Sequence, residues 1–109
     1  MSRCYCFNNT LDNLPCSLTH LYLNHRYNNS LDNLPSSLTH LIFNEKKYCF
    51  FDKLLDNLPI NLKYIALPQN YIHKINNLPI NIKTIKCSSQ YKYKNNFNST
   101  INVITYKIE

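Results

Sequence analysis

The chain has 109 residues, of which 44% are apolar, so it is long enough for one domain with a buried core. Its formal net charge is +6, which favours acidic partners, but the scattered basic residues are more typical of a diffusely basic surface. The absence of glycine excludes a glycine-rich phosphate loop, and no run approaches the ~18 apolar residues of a membrane span.

The first ten residues and the cysteines indicate in which cellular compartment the protein works. Segment 1–10, MSRCYCFNNT, lacks the apolar core of a secretory signal peptide. The five cysteines are an odd number at irregular spacing, which is not the pattern of a disulfide framework and fits a reducing environment. We therefore expect a soluble, intracellular, cytoplasmic protein.

Four tandem copies of one motif follow. They read LDNLPCSLTHLYL, LDNLPSSLTHLIF, LDNLPINLKYIAL and INNLPINIKTIKC, and they begin at residues 11, 31, 55 and 75. The steps between these starts are 20, 24 and 20 residues, so the second step contains an insertion, which we place within a surface loop at 45–54. A degenerate fifth copy, FNSTINVITY, lacks the proline. The predicted organisation is a single repeat domain over 1–109, with repeats near 11–30, 31–54, 55–74, 75–96 and 97–106.

The second half of each copy, L-x-x-L-x-L, predicts one short strand per repeat, because apolar and polar residues alternate there. A repeat of 20 residues is too short for a strand, a full helix and two turns, so Leu-Pro is expected to begin an extended or 3₁₀-like return. The predicted fold is a β-rich solenoid of about five coils, with one short parallel strand per coil and no or few helices. The expected core columns are Leu11, Leu31, Leu55 and Ile75; Leu14, Leu34, Leu58, Leu78 and Phe97; Leu18, Leu38, Leu62, Ile82 and Ile101; Leu21, Leu41, Ile65, Ile85 and Ile104; and Leu23, Phe43, Leu67 and Cys87.

Asparagine is expected to take the turn positions that glycine fills in other proteins, because it tolerates positive φ best after glycine. One asparagine recurs in each L-D-N-L-P element. It either stacks in a coil-to-coil amide ladder or forms a solvated Asx turn with its aspartate. The recurring residues are Asn13, Asn33, Asn57 and Asn77, with Asp12, Asp32 and Asp56 before the first three.

These motifs resemble the FNIP repeat, a divergent branch of the leucine-rich repeats. The residues that carry the resemblance are Phe7-Asn8-Asn9-Thr10-Leu11 before Leu14-Pro15 and Tyr27-Asn28-Asn29-Ser30-Leu31 before Leu34-Pro35, with weaker versions at Phe51 and Tyr71. The resemblance covers roughly residues 7–106 and implies a leucine-rich-repeat-like solenoid that serves as a protein-interaction module. Asn24 and Asn44 stand where the family has glycine, and they suit a left-handed turn.

The FNIP family is known mainly from amoebae and from the large DNA viruses that infect them, and a viral member would act in the host cytoplasm. Members often carry an amino-terminal F-box that recruits a ubiquitin ligase. Residues 1–10 are too few for one, so the resemblance does not extend the ligase role to this chain.

The outward strand positions are expected to form an open sheet face, where repeat proteins generally bind partners. Tyrosine is enriched in interface cores, which favours this surface further. The expected face columns are His20, His40, Tyr64, Thr84 and Val103, then Tyr22, Ile42, Ala66, Lys86 and Thr105, with Thr19, Thr39, Lys63, Lys83 and Asn102 at the strand edge. The predicted partner-binding residues are His20, Tyr22, His40, Ile42, Lys63, Tyr64, Lys83 and Lys86.

The sequence predicts no enzyme, no cofactor and no metal site. The aspartates recur with the repeat, which marks them as structural, and no separate cluster of acid, base and nucleophile occurs. His20 and His40 are expected on neighbouring strands, but zinc normally takes three or four ligands and nothing in the pattern adds a third. Cys4-x-Cys6 is expected to be a frayed cap.

Two other functions compete with protein binding. The first is weak nucleic-acid binding, through Lys63, Lys83, Lys86, Lys92 and Lys94. Segment 90–96, QYKYKNN, mixes lysine with tyrosine as such sites do, but it also suits a polar connection to the last strand. The second is a paralogue without retained function.

The last predicted strand offers a third kind of contact. It is strongly β-prone and has no further coil to cover it, so we expect either self-association through Ile101 to Tyr106 or a partner that covers this edge. The alternative is that the charges of Lys107 and Glu109 protect the edge.

Overall fold

The computed structural model describes residues 14–44 and 48–107 together with the backbone of residues 3–6. Within these residues, six strands form one sheet in the order of the sequence, and every neighbouring pair is parallel. The described ranges contain no helix and therefore no helix able to cross a membrane. The predicted β-rich solenoid is confirmed, with strands β1 (Arg3–Cys6), β2 (His20–Leu23), β3 (His40–Phe43), β4 (Tyr64–Ala66), β5 (Thr84–Ser88) and β6 (Asn102–Tyr106).

The first strand, β1, is absent from the sequence prediction, which gives a frayed cap at this position. It pairs with β2, with Cys4 opposite Leu21 and Cys6 opposite Leu23. The pairing satisfies backbone groups of β2 that would otherwise lie at the sheet edge. The chain therefore has one more strand than the repeat pattern predicts.

The predicted columns form the core. Leu21, Leu41, Ile65 and Ile85 are fully buried, and they lie in register across β2 to β5. The columns that begin at Leu18, Leu23 and Leu31 are buried as well, whereas the column that begins at Leu14 is only partly buried. One coil cannot bury its own leucines, so each column gains its burial from the coils above and below. Leu11, the first member of its column, lies outside the described residues.

Each coil turns at its Leu-Pro element through one short hydrogen bond. The N–H of Leu18 donates to the Pro15 carbonyl at 3.1 Å, and the three following coils repeat this bond at 3.1–3.2 Å. Proline is the first residue of this turn, and because it has no N–H it leaves no donor unpaired there. This confirms the compact return that the repeat length predicts.

Asparagine side chains link the third coil to the second and the fourth coil to the third. Nδ2 of Asn57 donates to Oδ1 of Asp32, and Nδ2 of Asn77 donates to the Asp56 carbonyl, both at 3.1 Å. The ladder therefore exists, but it runs from asparagine to aspartate rather than between amides. Asn13 lies outside the described residues.

The prediction of left-handed turns at Asn24 and Asn44 is wrong, because none of the described residues has a positive φ. At Asn24 the side chain solves the turn instead. Its Oδ1 accepts the N–H of Arg26 at 2.9 Å, and its carbonyl accepts the N–H of Tyr27 at 3.0 Å. An Asx turn of this kind needs no positive φ.

An aromatic column runs along the return path, parallel to the leucine columns. The rings of Tyr27, Phe51, Tyr71 and Tyr91 follow one another at centroid separations of 6.1–6.3 Å, and Phe97 continues the series. The Tyr71 hydroxyl donates to the Lys53 carbonyl at 2.8 Å, which links neighbouring coils. Phe97 also holds the place predicted for it after Leu78, because the bond from Ile101 to Asn98 repeats the bond from Ile82 to Pro79 and Phe97 is partly buried as Leu78 is.

The fifth coil has a different register from the one predicted. In earlier coils two consecutive amides bond to one carbonyl of the preceding coil, as the N–H groups of Lys83 and Thr84 bond to the Lys63 carbonyl. One residue, such as Lys83, therefore separates the end of the turn from the strand in these coils. Before β6 the structure shows a single such bond, from Asn102 to Lys83. One residue fewer shifts the alternation of side chains by one position.

As a result, the predicted positions of four residues in β6 are wrong. Val103 pairs with Ile85 on the core side, whereas Ile104 pairs with Lys86 and is 41% exposed. Asn102 pairs with Thr84, and Thr105 pairs with Cys87 in the core column. The copy that lost its proline is the one that changed register.

The insertion is packed rather than merely attached. The Asn70 side chain accepts the N–H of Cys49 at 2.9 Å and donates to its carbonyl at 2.8 Å. The Phe50 N–H donates to the His25 carbonyl at 2.7 Å. Cys49 and Phe51 are buried, and burial raises the pKa of the Cys49 thiol to about 11. The surface-loop prediction therefore holds for Tyr48 and Phe50, which are exposed, and is wrong for the two residues beside them.

Candidate protein-interaction surface

The predicted open face exists in β2 to β5. Outward residues alternate with fully buried ones along each of these strands, and the parallel register aligns them in two columns. All eight predicted contact residues lie on this face or at its edge. His20, Tyr22, His40, Ile42, Tyr64 and Lys86 are half-buried, and Lys63 and Lys83 are exposed.

The first column is a stack of rings. The imidazoles of His20 and His40 lie 4.1 Å apart between centroids and are nearly parallel, at 10°. The Tyr64 ring continues the stack 5.5 Å from His40, at 25°. The register places His20, His40 and Tyr64 directly side by side, so strand pairing itself produces the stack.

Threonines at the strand edge orient the imidazoles. The Thr39 hydroxyl donates to the Thr19 carbonyl at 3.2 Å and also forms a 2.8 Å hydrogen bond with Nδ1 of His40. Thr19 and Nδ1 of His20 make the same contact at 2.9 Å.

The second column is apolar at its centre and basic towards β5. Tyr22, Ile42, Ala66 and Lys86 stand in register, and Ile104 of β6 follows them. Ala66 is buried although it faces outward, because its short side chain lies between longer neighbours. Ile104 occupies the position that was predicted for Thr105.

In the segment proposed for nucleic acid, 90–96, Tyr91 alone is buried, while Gln90, Lys92, Asn95 and Asn96 are exposed as in a polar connection. Tyr91 is buried in the aromatic column, and its hydroxyl donates to the His73 carbonyl at 2.5 Å. Nζ of Lys94 donates to the Ser89 carbonyl at 2.6 Å, and Nζ of Lys92 lies 5.3 Å from the centre of the Tyr93 ring. The signal that identifies Tyr91 is its step of 20 residues from Tyr71.

The sequence analysis missed an apolar patch at the insertion. Tyr48, Phe50 and Ile72 are exposed by 68%, 57% and 69%, and they border an open cleft of about 510 Å³. A non-repeating insertion that contains Y-C-F-F is the sequence signal that points to it. We call this group the insertion patch.

Metal ligands are sparse on the face. In residues 14–44 and 48–107, no group of three or more His, Cys, Asp or Glu side chains is placed to hold a metal ion.

Comparison with known protein families gives a result that agrees with this geometry. Residues 7–46 match the FNIP repeat. This segment contains β2 and β3, and hence the His20–His40 stack. FNIP repeats and related solenoids are typically non-catalytic and commonly serve in protein interaction. A search among curated proteins found no match.

Among solved structures, the chain is similar to CroV588, a giant-virus protein with a novel circular LRR structure. The match has a TM-score of 0.66 and 26% sequence identity, and it covers 84% of this chain. The matched part is 14% of CroV588, so this chain spans a small part of that protein's length.

Proposed function

We propose that this chain is a non-catalytic protein-interaction module that binds its partner through the open face of the parallel sheet. The observation that carries the proposal is the in-register surface formed by the His20–His40–Tyr64 stack and the neighbouring Tyr22 and Ile42. Its rings are half-buried and held in place by strand pairing. Binding therefore costs little side-chain entropy, which favours recognition.

The ring stack also favours protein over nucleic acid. Single-stranded nucleic acids bind by stacking bases on exposed aromatic faces. Here the faces of His20, His40 and Tyr64 contact one another.

Site-specific photo-crosslinking tests the proposal. A photoreactive phenylalanine analogue replaces Tyr22 in one variant and Ile60 in another, and both variants are irradiated in amoebal lysate. Ile60 is the control because it is 62% exposed and lies outside the strands. We expect a discrete protein adduct from position 22 and none from position 60. An adduct at position 60 without one at position 22 would show that the partner binds outside the sheet face, on the segment that connects the strands, and would contradict the proposal.

A further inference from the structure

Two hydrogen bonds show which backbone groups of β6 point away from β5. The N–H of Asn102 donates to the Lys83 carbonyl at 2.8 Å, and the Tyr106 carbonyl accepts the N–H of Ser89 at 2.7 Å. Along a strand, residues whose N–H and C=O groups point to one neighbouring strand alternate with residues whose groups point to the other side. The even-numbered residues of β6 therefore bond towards β5, and the backbone groups of the odd-numbered residues lie on its outer edge.

The odd-numbered residues of β6 are Val103 and Thr105. Within residues 14–44 and 48–107, β5 is the strand that pairs with β6, and no other segment bonds to the backbone of these two residues. A row of such N–H and C=O groups is a template for pairing with the strand of another chain.

The side chains of β6 are less covered than those of the strand before it. Ile85 is fully buried, whereas Val103, its register partner on the core side of β6, is only partly buried. Thr105, next to the buried Cys87, is exposed, and Ile104 is exposed on the open face. The strand therefore has uncovered surface on both of its faces as well as along its edge.

Two copies related by twofold symmetry can meet at these outer edges in two ways. Rotation about an axis perpendicular to the sheet makes the two β6 strands antiparallel and keeps the core sides of both copies together. Rotation about an axis along the strand makes them parallel and places the core side of one copy beside the open face of the other. The antiparallel arrangement is favoured, because it covers the apolar core side of β6 with the core side of its neighbour.

The outward backbone groups favour one register. In an antiparallel pair, opposite residues that exchange both hydrogen bonds alternate with opposite residues that exchange none. If the pair is centred on Ile104, Val103 of each copy exchanges both bonds with Thr105 of the other. A shift by two residues in either direction would leave one of these residues opposite a position outside β6. The two Lys107 residues then lie ~20 Å apart along the strands, beyond the range of their repulsion at physiological salt.

We propose that two copies of this chain pair through β6 as an antiparallel dimer centred on Ile104, which joins their open faces into one surface. The inference goes beyond the proposed function, since the pairing needs no other partner. A pairing of five residues from each copy is a small interface, so the dimer is weak and forms as the protein concentration rises. Its consequence is that two copies of the candidate binding face point to the same side.

Disulfide trapping tests the register. The full chain is prepared as Ile104→Cys and, as a matched control on the same face of the same strand, as Asn102→Cys, and both are oxidised after melts have shown that they are folded. In the proposed dimer the two Cα atoms of residue 104 lie about 4.5 Å apart, within the range of a disulfide, whereas those of residue 102 lie about 13 Å apart along the strand. We expect Ile104→Cys to shift from monomer to dimer on a non-reducing gel, with a 104–104 link in mass spectrometry, and Asn102→Cys to show only background. Links through native cysteines such as the exposed Cys16 should occur equally in both variants.

Sedimentation of the wild type adds a test that needs no substitution. We expect the average mass to rise with concentration and to level off at that of a dimer. Species larger than a dimer without a 104–104 link would overturn the proposal in favour of head-to-tail pairing between β6 and β1 of the next copy. Equal trapping at positions 102 and 104, or a wild type that stays monomeric, would also overturn it. None of these outcomes changes the photo-crosslinking result at position 22, so failure of the dimer is distinguishable from failure of the proposed function.

Discussion

Adjacent residues of one strand have opposite roles in this fold, and β3 illustrates the difference. Leu41 is fully buried between Leu21 and Ile65, whereas its neighbour Ile42 is only half-buried on the open face. The alternation of apolar and polar residues made this assignment predictable for β2 to β5.

Replacing Leu41 with Asp should unfold the repeat array. An unpaired carboxylate in the core adds its desolvation to the lost packing, and truncation of a buried leucine alone costs about 2–5 kcal/mol. The matched variant Ile42→Asp places the same charge on the open face and should retain a cooperative melt. Circular-dichroism melts decide the matter, and identical curves for both variants would contradict the register.

Alkaline pH should destabilise the protein through groups that burial keeps protonated. Burial raises the pKa of the Cys49 thiol to about 11 and raises the pKa of the Tyr71 and Tyr91 hydroxyls above the usual range for tyrosine. The unfolded chain releases these protons at lower pH than the folded chain does. The contribution of these groups to the free energy of unfolding is therefore fully present below about pH 9 and falls as the pH rises from there. Urea titrations at several pH values should show this loss, and Cys49→Ala should lose less between pH 9 and 11. Equal losses in the two proteins would exclude Cys49 as a contributor.

The coil is the unit of structure at the next scale. Where the sequence predicts a coil wrongly, the error has a physical cause. Periodicity predicts Leu18 and Leu21 correctly because each recurs in every coil. It misplaces Val103 and Ile104 because the fifth copy lacks both the proline and one residue between the turn and the strand, and a one-residue change reverses the faces of a strand. It misses the insertion patch because Tyr48 and Phe50 have no counterparts in other repeats.

Shortening the insertion separates its exposed part from its packed part. Deleting 45–48 restores the 20-residue step and keeps Cys49 and Phe51. We expect this variant to retain a cooperative melt, whereas Phe51→Ala should lose about 3–5 kcal/mol of stability because it opens the aromatic column. Urea denaturation measures both, and a shortened chain less stable than Phe51→Ala would show that the insertion contributes more packing than its burial indicates.

At the scale of the whole molecule, one end of the sheet is distinctive. β6 has β5 as its strand neighbour in the described part of the chain, and its residues are less buried than those of β2 to β5. A parallel sheet that ends on such a strand offers backbone groups to another chain.

We propose that the chain self-associates through Ile101 to Tyr106. Sedimentation over a concentration series up to ~100 μM should show association that weakens in Ile104→Lys, because a charged edge discourages strand pairing. Ile104 is the suitable position because its side chain faces outward, whereas Val103 faces the core. A wild-type protein that stays monomeric throughout the series would contradict the proposal.

The central claim is that partners bind the open face and not the insertion patch. The most direct test compares capture of proteins from amoebal lysate by the wild type, by Tyr22→Ser/Ile42→Ser and by Tyr48→Ser/Phe50→Ser, after melts have confirmed that all three are folded. The account predicts that a partner captured by the wild type is lost with the face variant and kept with the patch variant. Loss with the patch variant and retention with the face variant would contradict it.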